Sequence, residues 1–138
     1  MSEDESPLER LARNRALVVG HFEDFVNRRD LSAIDRNMTA DVFDHDGPGG
    51  RPIDREGDRR MMAAMLKAMP DLKVEVLDAV AEGDRVVVRN RWTGADASTG
   101  QRIEFHGFVM WRIEGDKIAE RWATVTPLHE LVAASLDW

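Results

Sequence analysis

The chain has 138 residues, 43% hydrophobic and 33% charged, with no cysteine and a formal net charge of −7 from 26 acidic and 19 basic residues. Such a length and mixture fit a single domain over residues 1–138 whose core can hold a cavity, and they exclude disulfide staples, thiolate metal sites and a cysteine nucleophile. An acidic surface repels nucleic-acid backbones and anionic membranes, no stretch reaches the roughly 20 apolar residues of a membrane span, and the acidic start lacks the form of a secretory signal. The expectation is therefore a cytoplasmic protein whose residues 1–5 form a flexible acidic terminus, with no nucleic acid and no membrane among its partners.

In chain order, Ser6-Pro7-Leu8-Glu9 reads as a capped helix start, and Leu8, Leu11, Val18, Phe22, Phe25 and Val26 carry helical spacing to about Arg29. A short helix over Ser32 to Asn37 and a strand over Val42 to Asp46 follow, and Gly47-Pro48-Gly49-Gly50 ends the strand. A third helix starts near Gly57 or Asp58, presents Met61, Met62, Met65, Leu66 and Met69, and stops at Pro70. Beyond it, Lys73–Ala81, Arg85–Thr93, Arg102–Glu114 and Lys117–Val125 are rich in strand formers, with Gly83-Asp84 and Gly115-Asp116 as two-residue hairpin turns. A short helix from Pro127 to about Ser135 closes the chain. Helices first and an antiparallel meander afterwards predict an α+β domain in which helices cover one face of a strongly curved sheet, leaving a cone with an open mouth.

The Gly115-Asp116 turn sets an expected register. If Glu114 faces Lys117, then Ile113 meets Ile118, Trp111 meets Glu120, Val109 meets Trp122, Gly107 meets Thr124 and Phe105 meets Thr126, all on one face. His106, Phe108, Met110 and Arg112 then share the other face with Ala119, Arg121, Ala123 and Val125. The first face is assigned to the cone, since a carboxylate among aromatics suits a binding pocket. Expected ligand contacts are Phe105, Val109, Trp111, Trp122 and Thr126, with Met62 and Met65 from the third helix as a soft wall. The alternative is that the tryptophans are ordinary core and Glu120 pairs with an arginine at the rim. The second face, apolar at Phe108, Met110, Ala123 and Val125, predicts a homodimer that covers it.

Asp44-His45-Asp46 places an imidazole between two carboxylates, and strand alternation turns His45 away from both aspartates. Metal chemistry has no support in the sequence: His21, His45, His106 and His129 show no short ligand repeat. A Gly-x-Ser-x-Gly elbow, a phosphate loop and a dinucleotide fingerprint are also lacking.

Three segments, Met69-Pro70-Asp71-Leu72, Ala81-Glu82-Gly83-Asp84-Arg85-Val86-Val87-Val88-Arg89 and Gly115-Asp116-Lys117-Ile118-Ala119-Glu120-Arg121-Trp122, resemble the SnoaL-like polyketide cyclases, a branch of the fold group of nuclear transport factor 2 and ketosteroid isomerase. The resemblance implies the cone-shaped α+β fold and cofactor-independent acid–base chemistry beside a carbonyl, of cyclase or isomerase type, on a polyketide-, steroid- or terpenoid-like molecule. In the family an aspartate stands four residues beyond the Glu-x-Trp tryptophan; here the position is Thr126. Threonine caps a helix before Pro127 as well as aspartate does, but its hydroxyl does not hold a proton reversibly near neutral pH. The family's Gly-Thr-His-x-Gly stretch corresponds loosely to Gly94-Ala95-Asp96-Ala97. With the aspartate replaced, His45, Glu120 and Asp96 are the acid–base candidates. The competing expectation is a non-catalytic ligand-binding or interaction domain that keeps the cone and lacks the chemistry.

Overall fold

The computed structural model describes residues 5–125. Helix α1 (Pro7–Phe22) is capped by Ser6, whose hydroxyl accepts the Glu9 N–H at 3.1 Å, and it continues as one π-helical turn over Glu23–Asn27. The expected single helix to Arg29 thus changes its winding at Phe22, and Arg29 ends the segment at a positive φ of 60°. Helix α2 (Ala33–Asn37) leads into strand β1 (Met38–Asp44). Helix α3 (Arg55–Ala68) begins two or three residues before the expected start, because Asp54 caps it by accepting the Gly57 N–H at 2.8 Å. Strands β2 (Lys73–Glu82), β3 (Arg85–Ala95), β4 (Arg102–Glu114) and β5 (Lys117–Val125) follow, joined at both expected two-residue turns. Gly83 and Gly115 supply the positive φ, 57° and 66°, that those turns need. The closing helix expected from Pro127, and Thr126 with it, lie outside the described residues.

The five strands form one mixed sheet in the order β1-β5-β4-β3-β2, antiparallel except where β1 runs parallel to β5. Helices α1 and α3 pack on its inner face, α1 against β2 and β3 and α3 against β1. Val18, Phe22, Phe25 and Val26 from the first helical segment meet Val86, Val88, Trp92, Val109 and Trp111 from the sheet in one buried core. Asn27 locks the helical layer to the sheet in both directions: its amide donates to the Val74 carbonyl at 2.9 Å and its oxygen accepts the Val74 N–H at 2.9 Å.

The register of β4 and β5 departs from expectation after its first two pairs. Glu114 faces Lys117 and Ile113 faces Ile118, but Arg112 then faces Glu120, so Ala119 is one extra residue in β5. A one-residue bulge turns every later side chain of the strand to the opposite face. Glu120 and Trp122, expected in the cone, lie on the outer face opposite Arg112 and Met110. Arg121 and Ala123, expected outside, pair with Trp111 and Val109 and point inward, and Val125 pairs with Gly107 on the same side. The outer partners of Phe108 and Met110 are accordingly Thr124 and Trp122 rather than Ala123 and Arg121.

Replacing Asn27 by Ala removes the two hydrogen bonds to Val74 and strands that residue's buried backbone groups. The expected loss is about 1–3 kcal/mol, read as a lower urea midpoint at unchanged slope; an unchanged midpoint contradicts this role.

Candidate active site

The inward turn of Arg121 builds a polar cluster at the floor of the core. Asp44 ends β1 and is fully buried, and both of its carboxylate oxygens accept from Arg121 Nη1, at 3.0 and 2.9 Å. The backbone holds Asp44 as well. Its N–H and C=O pair with Ile53 at 3.1 and 2.9 Å, and Oδ1 takes the Asp46 N–H at 2.9 Å. A charge this deep is tolerated only with such a partner and such a set of hydrogen bonds.

Asp58, on the first turn of α3, is the second carboxyl of this cluster and is 4% exposed. Burial, followed by its interaction with the Asp44 carboxylate, pushes its pKa from 3.8 up to about 8, against the opposing pull of Arg121. Two adjacent carboxyls in a low-dielectric site resist double ionisation, so Asp58 keeps its proton at neutral pH. Its Oδ2 has no hydrogen-bond partner among the described residues.

His21 on α1 is the third titratable group here. Desolvation, with smaller contributions from Arg121 and Arg36, lowers its pKa from 6.5 to about 3, so the ring is neutral. The Asn37 amide lies 3.0 Å from Nδ1 and donates to it, which leaves the proton on Nε2. The ring stacks on Phe25 and meets Trp111 edge-on, with centroids 4.9 and 6.0 Å apart.

His21, Asp58, Arg121, Trp111, Met61 and Met62 line one cavity together with Phe22, Phe25, Val26, Met38 and Trp92. It is a narrow cleft between α1, α3 and the sheet, apolar on its walls and polar at one end; its free volume is about 30 Å³, so an organic ligand enters only as the walls, the flexible Met61 and Met62 among them, move apart.

The sequence candidates divide around this cleft. Trp111 and Met62 line it; Val109 is buried in the core; Met65 and Phe105 pack against that core, Phe105 stacked on Trp92 with centroids 5.6 Å apart. His45, Glu120 and Trp122 meet on the outer face instead. His45 Nε2 lies 2.6 Å from Glu120 Oε2, and its ring stacks on Trp122 at 4.8 Å. Arg112 donates to the other Glu120 oxygen at 2.9 Å, realising the arginine pairing anticipated for that carboxylate; His45 and Arg112 hold Glu120 below the usual carboxylate range. Asp96 folds back onto its own turn, where accepting from Ser98 Oγ and N–H lowers its pKa. The expected alternation in Asp44-His45-Asp46 holds only for its first two residues: Asp44 goes inward and His45 outward, but β1 ends at Asp44, and Asp46 is exposed beside Phe108 and Trp122 on the outer face, where it accepts the Ala123 N–H at 2.7 Å.

Asp58, Arg121 and His21 escaped the sequence reading. Asp58 precedes Met61 and Met62 by three and four residues, and His21 follows Val18 by three and precedes Phe25 by four, so each is a polar residue on an apolar stripe. That signal was available. Arg121 had none, because a bulge at Ala119 has no signature in Ile118-Ala119-Glu120.

A sequence profile of the SnoaL-like polyketide cyclases matches residues 16–128. The chain belongs to the SnoaL-like polyketide cyclase family. Among solved structures, it is similar to AclR of Streptomyces galilaeus, described as a candidate hydroxylase, at 27% identity over 90% of this chain and 96% of that one, with a TM-score of 0.76. IdmH of Streptomyces antibioticus, described as a candidate polyketide cyclase, is 25% identical over 89% of this chain and 99% of its own, with a TM-score of 0.77. A SnoaL-like protein of Jannaschia sp. CCS1 shares the fold at 20% identity, over 99% and 100% of the two chains, with a TM-score of 0.78. The fold is thus the NTF2-like fold of this family, and the neighbours' descriptions as cyclase and hydroxylase support a family of small-molecule enzymes. The comparison with curated proteins gives no match. Among the described residues of this SnoaL-like chain, no helix is long and apolar enough to cross a membrane, and no group of three or more His, Asp or Glu could hold a metal ion.

The two shifted groups give stability a defined pH dependence. His21, with a folded pKa below its unfolded value, makes stability rise with pH between about 3 and 6.5; Asp58, with a raised one, makes it fall between 3.8 and about 8. The two oppose each other below pH 6.5, and from 6.5 to 8 Asp58 acts alone. Thermal unfolding of the wild type should show a decline over that upper interval, on the order of 1 kcal/mol per pH unit, that Asp58→Asn abolishes. A decline of equal size in the variant contradicts the assignment.

Proposed function

We propose that the protein is an acid–base enzyme that moves a proton beside a carbonyl of an apolar, polyketide-, steroid- or terpenoid-like molecule, with Asp58 as its acid–base group and no cofactor. The observation that carries this reading is a proton-holding carboxyl with one unpartnered oxygen at the polar end of an aromatic and methionine-walled cleft. A base is most effective when its pKa lies near the working pH, and burial, followed by the neighbouring Asp44 carboxyl, raises that of Asp58 toward it. The ionised Asp58 takes the α-proton, the resulting acid returns it to carbon at another position, and the neutral walls exclude water meanwhile. This assigns to α3 the role that the family aspartate takes on the last strand.

A non-catalytic binding domain would keep the cleft but have no use for a buried carboxyl whose charge state costs stability. The same cost explains why its environment is so fully specified: the Asp44–Arg121 pair must be held before Asp58 can be tuned.

The outer face supports the second part of the reading, a homodimer. Val80, Val87, Met110 and Trp122 form a row across four strands, with Phe108 58% exposed beside it and Phe43 46% exposed on β1. Contiguous apolar surface of this kind is covered in stable assemblies, and a second copy presents the same row under two-fold symmetry. Phe108→Glu should convert the dimer to monomer in sedimentation while leaving ligand binding in the cleft in place; a monomeric wild type at micromolar concentration contradicts it.

The chemistry is tested by exchange of the α-protons of an aromatic methyl ketone in heavy water, followed by NMR. Wild type should accelerate exchange with a rate that rises through about pH 8, as the base form of Asp58 accumulates. Asp58→Asn should lose roughly a hundredfold or more, and Asp44→Asn should move the inflection to lower pH. Wild-type activity retained in Asp58→Asn overturns the proposal, and so does a pH profile unmoved in Asp44→Asn.

A further inference from the structure

Four tryptophans occur in the chain, and two of them, Trp92 on β3 and Trp111 on β4, stand on the inner face and meet the same Phe22 ring edge-on. Their indole N–H groups differ in one respect. Trp92 donates to Asn90 Oδ1 at 3.0 Å, as a buried indole normally does. Trp111 is equally buried, 3% exposed, and its Nε1–H has no acceptor among the described residues.

The ring cannot turn to find one. Phe22 packs edge-on against it at 5.4 Å, His21 does so at 6.0 Å, and the Arg121 guanidinium sits 5.4 Å above its face. Arg121 is itself held by Asp44 and His21 by Asn37. A donor that is desolvated, unpartnered and fixed from three sides is a costly feature for a purely structural core. It becomes favourable when a ligand brings the acceptor. Trp111 borders the same cleft as Asp58, whose Oδ2 is likewise unpartnered.

We infer that the Trp111 Nε1–H is the receptor for the ligand's oxygen, fixing a carbonyl so that the adjoining carbon faces Asp58. The inference rests on the acid–base reading above and adds to it the group that recognises the substrate and its chemical class. When Asp58 removes the α-proton, the C–H electron pair becomes the carbon–carbon double bond and the negative charge moves to the oxygen, where the indole hydrogen bond strengthens. The proton resides on Asp58 until it returns to carbon, so no other reactant is consumed. Preorganised donors at the position of developing charge are usually the largest single contribution to catalysis. The cleft offers this oxygen a neutral donor, because Arg121 is already neutralised by Asp44 and His21 is uncharged. It therefore selects an uncharged, flat, apolar compound with an enolisable ketone over a carboxylate, an amine or a plain hydrocarbon. A site built around such a donor rejects analogues that lack the acceptor.

The test uses 4-fluorophenol, whose oxygen stands in for the enolate oxygen, and fluorobenzene, which lacks it. Both are titrated into the full chain and followed by fluorine NMR. Wild type should bind 4-fluorophenol at least about tenfold more tightly than fluorobenzene. Trp111→Phe should remove about that factor for 4-fluorophenol and leave fluorobenzene within about twofold. In wild-type protein, the Trp111 indole N–H resonance should move downfield on saturation with 4-fluorophenol and stay in place with fluorobenzene, a readout that needs no variant to fold. An unmoved indole resonance, no binding of 4-fluorophenol, or equal weakening of both ligands in Trp111→Phe overturns the inference. The ketone exchange assay on the same wild-type sample separates the two claims. Exchange without an indole response leaves Asp58 as the base and removes Trp111 from its role. An indole response without exchange keeps the oxygen receptor and overturns the enzymatic reading.

Discussion

The ion pair between Arg121 and Asp44 determines the character of the interior. Asp44 has no exposure and the Arg121 side chain is 14% exposed, so each is tolerable only because the other is within 3.0 Å. Arg121 reaches Asp44 because the bulge at Ala119 turns it inward, and β1 presents Asp44 because it lies parallel beside β5. Burial is the first cause of the protonated Asp58 and the neutral His21; Asp44 reinforces the one and Arg121 the other, and Arg121 sets its cation over Trp111. Loss of either partner leaves a bare charge in the core, a change expected to cost several kcal/mol.

The bulge also divides the chemistry between the two faces of the sheet. Without it, Glu120 would point into the cleft beside Trp111, and His45 would lack its 2.6 Å partner. With it, the outer face holds a compact layer in which Trp122 lies between the His45 ring and the Arg85 guanidinium, 4.8 and 4.9 Å from its centroid. That layer joins β1, β3 and β5 outside the core, while the inner cluster joins β1, β5 and α3 within it. One inserted residue in β5 therefore fixes which carboxyls are solvated and which are dry.

Elements with local signals were legible in the sequence. Ser6-Pro7 opens α1, Pro70 follows α3, and two Gly-Asp turns delimit the hairpins, each for reasons contained in a few adjacent residues. The α+β class followed from them, and the family from the resemblance carried by three segments of the sequence. The parallel pairing of β1 with β5 and the bulge are long-range facts, set by how the first strand docks on the last, and no local pattern carries them. The site suffered accordingly: Trp111 and Met62 belong to the cleft by face and period, whereas Glu120 and Trp122 are carried across the sheet by a single residue, and His45, next to the inward Asp44, meets them on the outer face. Asp58 and His21 are a different case. Each broke an apolar stripe, and a polar residue in such a place is either paired or functional.

The acid–base chemistry proposed for the cleft depends on Asp58 holding a proton at neutral pH. The carbonyl stretch of a protonated carboxylic acid is visible in infrared difference spectra and vanishes on ionisation. At pH 6.5 the wild type should show one such band that Asp58→Asn lacks, fading with a midpoint near pH 8. A spectrum without that band, or a midpoint in the ordinary carboxylate range near pH 4, would contradict the account.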